Sequence, residues 1–158
     1  IVRRNGYNRF ELSLAEAMFV NFGVKFGSKH FYHIIHGGWR VGGDNVYSWS
    51  IGVGAGTKIG INKKYHLNLE LLMAHVNENE FFLQELNLLN QFKITFDIAL
   101  SEQLSLFFGP TFNAHVSRIY NPGTQKFGSN IMPYSLYNET TEETNWKLWI
   151  GLTAGLRF

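Results

Sequence analysis

The chain has 158 residues, of which 45% are hydrophobic and 16% charged, and a formal net charge of +2. That length suits one domain, that composition excludes a disordered tail, and so small a charge with unclustered Lys and Arg argues against nucleic acid. No charge-free apolar run reaches the roughly 18 residues of a membrane-spanning helix, and the absence of cysteine rules out disulfides and thiolate metal sites. Nothing at Ile1–Arg4 has the pattern of a signal peptide, so either a signal has been removed or the chain is a piece of something longer.

Beyond an irregular start, Phe10, Leu12 and Leu14 alternate with Glu11, Ser13 and Ala15, which predicts a first short strand. Ala15–Met18 fits either a tight connection or a bulge. Val20, Phe22, Val24 and Phe26 form the next apolar face, ended by a turn at Gly27–Lys29. Phe31–Val41 carries apolar residues on both faces and is the least regular segment. The pattern returns at Tyr47, Trp49, Ile51, Val53 and Ala55, opposed by Ser48, Ser50, Gly52, Gly54 and Gly56. A turn at Asn62–Lys64 leads to Leu67, Leu69, Leu71 and Met73. Asn77–Glu85 is polar, and Leu83–Leu89 is open between a helical turn and extended chain.

Phe92, Ile94, Phe96, Ile98 and Leu100 then oppose Gln91, Lys93, Thr95, Asp97 and Ala99. Ser101–Gln103 turns the chain into Leu104, Leu106, Phe108, Pro110, Phe112, Ala114 and Val116. Pro110 falls within that run, where its missing N–H predicts a bulge or local irregularity. Arg118–Asn145 is a long polar excursion. The final stretch alternates from Trp146 through Leu148, Ile150, Leu152, Ala154 and Leu156 to the terminal Phe158. It is about twice as long as an ordinary strand of 5–6 residues and exceeds the roughly 9–11 that a tilted membrane crossing needs.

These runs predict an all-β, antiparallel transmembrane β-barrel of about eight strands, with residues 1–158 as one barrel domain. Short turns at Gly27–Lys29, Asn62–Lys64 and Ser101–Gln103 alternate with long loops at Gly37–Asn45, Asn77–Asn87 and Arg118–Asn145. This is the pattern of outer-membrane barrels, with long loops extracellular and, for an even strand count, both ends periplasmic. A soluble lipocalin-like barrel with apolar residues inside is the alternative. Two features oppose it: polar faces rich in Gly, Ser and Thr, and aromatics near strand ends (Tyr47, Trp49, Tyr65, Phe112, Trp146 and Phe158), where interfacial girdles belong.

The terminal pattern Ile150, Leu152, Ala154, Leu156 and Phe158 resembles the signal by which such barrels are delivered to their assembly machinery. The chain as a whole resembles the C-terminal region of Bacteroidetes-type surface-repeat-containing outer-membrane proteins. The residues that carry the likeness are Asn8–Ser13, Asn21–Gly27, His30–Ile35, Gly42–Asn45, Glu85–Asn90 and Leu148–Phe158. The resemblance implies a Gram-negative outer-membrane location and the barrel fold, and says little about activity. Members usually carry Gly-rich repeats before this region, which implies that Ile1 is an internal start.

With the apolar faces toward lipid, Glu11, Lys25, Glu70, Lys93, Asp97, Lys147 and Arg157 point into the lumen. An eight-stranded barrel is just wide enough for side chains to fill it, so these charges are expected to pair as a polar plug. An ion path needs a wider barrel. His115-Val116-Ser117 followed by Asn121-Pro122-Gly123 resembles the His-x-Ser region of outer-membrane lipid A deacylases, which makes His115 and Ser117 catalytic candidates. The carboxylate such a pair needs has no seat nearby, because Glu139, Glu142 and Glu143 lie far along the excursion. His30, His33 and His36 cannot converge on a metal along an extended strand, and no cofactor is expected. The functional expectation is a structural or interaction component working through surface loops or as a complex subunit, without enzyme activity. Its expected partners are outer-membrane lipid, the assembly machinery and other outer-membrane proteins. The alternatives are the C-terminal part of a larger transport pore and a lipid A deacylase-like enzyme.

Overall fold

The computed structural model describes all residues except 1–5, 29, 42–46, 79–80, 82–84, 124, 130 and 132–133. Its strands are β1 (Tyr7–Ala15), β2 (Val20–Gly27), β3 (Tyr32–Val41), β4 (Tyr47–Gly60), β5 (Tyr65–Glu78), β6 (Asn87–Ala99), β7 (Ser105–Ser117), β8 (Tyr120–Asn121), β9 (Lys126–Phe127), β10 (Tyr137–Thr140) and β11 (Asn145–Arg157). Strands β1 to β7 pair antiparallel in sequence order, and β11 pairs with both β7 and β1. The result is an antiparallel, closed eight-stranded barrel. The seam is fastened at its end by Phe10 and Phe158, whose amides and carbonyls bond reciprocally at 2.7 and 3.0 Å.

Register fixes the tilt. Stepping across paired residues from Glu11 leads through Gly23, His36, Gly52, Ala74, Leu89 and His115 to Lys147 in β11. Glu11 itself pairs with Arg157, ten residues further on. A stagger of ten over eight strands inclines them at about 35–45° to the axis and leaves an interior that side chains can fill.

The period-two pattern divides outside from inside. Phe10, Leu12, Leu14, Phe22, Ile35, Ile51, Leu71, Phe108, Ile150 and Leu152 are exposed on the outer wall. Their alternates Glu11, Ser13, Lys25, His36, Gln91, Lys93, Asp97, Thr111, Asn113 and Arg157 are buried within it. A lipocalin-like interior is thereby ruled out, since that fold requires the opposite sidedness. Two small apolar layers close the interior. Tyr7, Tyr32, Ile34 and Leu72 pack at the short-turn end, and Ala17, Met18, Val76, Leu89, Ile131 and Trp149 at the long-loop end.

Several local expectations need correction. β3 continues through Gly37 and Gly38 to Val41, so no loop begins at Gly37; residues 42–45 of that expected loop lie outside the described residues. Both faces of Phe31–Val41 read as apolar because Tyr32 and Ile34 belong to the apolar inner layer while Phe31, Ile35 and Trp39 are exposed outside. Asn87–Leu89 opens β6, which excludes a helical turn there, and residues 83–84 are not described. The excursion 118–144 is not plain loop. It contains the β8–β9 hairpin and β10, which pairs with the upper part of β11. Phe112 lies mid-strand in β7 rather than near an end. At Pro110 the β6–β7 ladder is interrupted opposite Ile94 and Thr95 without any change of register, while β7–β11 pairs throughout. The missing N–H therefore falls on the β6 side, and of the two expected forms, a bulge or a local irregularity, the structure has the second, a gap in the ladder.

The segment 16–19, open in the sequence, is a connection that dips inward. Ala17 and Met18 are buried, and Glu16 reaches the inner face of β11, where a Cβ on Gly151 would collide with its carboxylate. Glu16 Oε2 accepts from Leu152 N at 2.9 Å, an amide lying just beyond the end of the shorter β1.

Candidate functional site

The inward charges on the strands meet near the short-turn end. The Lys25 ammonium lies 2.5 Å from both Glu11 Oε2 and Glu70 Oε1. Arg157 binds Glu11 Oε2 at 2.8 Å through Nε, Glu70 Oε1 at 3.2 Å through Nη2, and Asp97 Oδ1 through Nη1. Tyr32 donates to Glu70 Oε1 at 2.7 Å, and Arg157 Nη2 also donates to Thr95 Oγ1 at 3.1 Å. The guanidinium stacks 4.0 Å above the Phe107 ring. Seven of the eight wall strands thus supply a side chain. The eighth, β4, supplies space: a Cβ on Gly56 would lie 2.8 Å from the Tyr32 ring.

The buried charged set is Glu11, Glu70 and Asp97 against Lys25, Lys93 and Arg157, three of each sign. Neutrality within the wall is what makes their burial affordable, since an isolated charge in a low-dielectric interior is expensive. Lys93 is buried beside this group and feels Glu11 and Glu70 electrostatically, but forms no ion pair among the described residues. Above it the lining turns polar, with Gln91 donating to Asn113 at 2.8 Å, Asn113 to Thr111 at 3.0 Å and Thr111 to Glu16 Oε1 at 3.5 Å.

Lys147, the seventh residue of the expected lumen set, does not join this network. It lies near the long-loop end, where its ammonium donates to the Ser129 carbonyl at 2.6 Å. Ser129 in turn donates to Glu78, and Asn87 Nδ2 donates to the same carboxylate at 3.0 Å. The excursion is thus clamped into the barrel mouth.

His115 and Ser117 share the inner face of β7 but are not brought together. His115 Nε2 contacts Asn87 Oδ1 at 2.6 Å, while Ser117 Oγ accepts from Ile119 N at 3.2 Å. Asn87 stands between His115 and Glu78, and among the described residues no hydroxyl or carboxylate is hydrogen-bonded to the imidazole, as a hydrolytic triad requires. His33 points outward and His36 inward, and no metal-binding cluster occurs among the described residues. Ile150, Leu152, Ala154, Leu156 and Phe158 all lie on the outer face of β11.

The sequence reading missed Tyr32, Thr95, Phe107, Glu16 and the Glu78–Asn87–Ser129 clamp. Phe107 left a signal, being a large aromatic on an otherwise polar face, where it is the seat for a guanidinium. Comparison with protein-family models, curated proteins and solved structures gives no match.

Proposed function

We propose that this chain is an integral outer-membrane β-barrel that acts as a structural or interaction component through the loops at its long-loop end. The observation that carries this is its sidedness: a closed wall with apolar side chains outward and a neutral ion network inward. In water that outer wall would be an exposed apolar belt far larger than a monomer tolerates, whereas a bilayer solvates it. Closure pairs the backbone around the wall apart from the interruption at Pro110, as hydrocarbon demands. The resemblance to surface-repeat outer-membrane proteins agrees with this location.

The loop end is where partners are to be sought, because the interior is filled by Tyr32, Phe107 and Arg157 below and by Met18, Ile131 and Trp149 above. In this reading the long loops are extracellular and both described ends periplasmic. Lipid, the assembly machinery and other membrane proteins are its contacts.

Secretion of the chain into a Gram-negative host tests the proposal. The expected result is recovery in the outer-membrane fraction, a band whose mobility shifts only after boiling, and surface labelling of an epitope placed at Pro122–Gly123 but not at Asn62–Lys64. Recovery as a soluble monomer would overturn it.

A further inference from the structure

We propose that the acyl chain of one membrane lipid lies in a groove on the outer wall that crosses β6, β7, β11 and β1. The inference rests on the membrane reading above and adds to it a defined lipid position. The groove holds about 670 Å³, within the roughly 300–1,000 Å³ of ordinary ligand sites. Its floor is Pro110 and Ala154, two outward positions with little side chain, beside Gly109 of the inner face, and its sides are Phe19, Phe96, Phe108 and Leu152. Register explains the concavity. Ala154 pairs with Phe108 on one side and Leu14 on the other, and Pro110 pairs with Leu152, so small residues sit between large ones.

The occupant follows from depth and chemistry. The floor lies midway along β11, between Trp146 at one end and Phe158 at the other, so a headgroup cannot reach it and a hydrocarbon chain can. Two polar side chains at the groove are engaged: Glu16 accepts from the Leu152 amide, and Thr153 Oγ1 donates to the Leu14 carbonyl at 3.2 Å; the backbone at Ile94, opposite Pro110, is left out of the ladder. A peptide laid here would leave its own amides unpaired in hydrocarbon, whereas a methylene chain asks for nothing.

The test uses the full chain in dioleoyl phosphatidylcholine vesicles doped with a phosphatidylcholine that carries a diazirine on its acyl chain. Cross-linked peptides are mapped by mass spectrometry, and the boiling-dependent mobility shift is read in parallel. The expected result is several-fold more adduct at residues 94–96, 108–110 and 152–154 than on the generally more exposed wall at Phe22, Ile35 and Ile51. Ala154→Trp should abolish that excess while the mobility shift persists. Ala154→Leu, a smaller filling, should reduce it if the tryptophan variant does not fold. Uniform labelling of the wall would overturn the proposal. So would cross-links between protein copies at the groove in place of lipid adducts. Loss of the mobility shift together with absence of adducts everywhere would instead mark failure of the membrane reading, and the groove would fall with it.

Discussion

Arg157 is the residue on which the interior turns. Its guanidinium meets Glu11, Glu70 and Asp97, the three buried carboxylates of the wall strands. Arg157→Met should therefore leave them with Lys25 and Lys93 alone and lower stability by about 3–5 kcal/mol, the cost of breaking a buried ion group. Urea unfolding midpoints in vesicles would measure it. Lys93→Met should cost well below that, because Lys93 has no ion pair to lose among the described residues and its burial is itself unfavourable. Equal losses in the two variants would mean that overall charge, not the specific pairs, holds the interior together. That these residues point inward was legible from period two alone, with Arg157 beside the terminal Phe158 on the alternate face. Which acid meets which base was not legible, because that depends on a stagger of ten between first and last strands that no local pattern encodes. Lys147 shows the limit: it shares the inward face with Arg157 but, ten residues away along a tilted strand, it lies at the opposite end of the barrel.

At the scale of the strand, β7 and its neighbours show how a single missing donor reshapes a wall. Pro110 removes an N–H on the β6 side, and the ladder opens at Ile94–Thr95 while the register holds. Pro110→Ala should supply that bond, raise stability by about 0.5–1.5 kcal/mol and give position 110 a slowly exchanging amide. The adjacent Gly109→Ala should act oppositely, since its Cβ would lie 1.9 Å from the Ile94 carbonyl oxygen and force the strands apart, at a cost of about 1–3 kcal/mol. Stabilisation by both would show that the two strands close freely and that the interruption is no fixed feature. The irregularity here was foreseeable from the proline, but its form was not, since a gap and a bulge begin from the same missing bond. Segment 16–19 was unreadable for a related reason. Glu16, Ala17 and Met18 have no period because they leave the wall, and Glu16 serves β11 rather than its own strand.

For the whole molecule, the question is whether a closed wall encloses a path. The lower layer of Tyr7, Tyr32 and Phe107 carries the ion network on top of it, and the upper layer brings Ile131 of the long excursion down onto Trp149. The two layers are held by independent contacts, ion pairs below and the Ser129–Glu78–Asn87 clamp above, so each is expected to close the lumen without the other. A planar bilayer holding the protein should therefore show no steady conductance. Glu78→Ala should release the excursion and still conduct nothing, because the lower layer is untouched. Arg157→Ala should likewise stay silent while the upper layer stands. Only the two changes together should give channel events, so conductance that appears in the double variant and in neither single one is the signature of two plugs in series. Steady conductance by the unaltered chain would show that water and ions pass between these layers, and would turn the functional reading from a surface component to a pore.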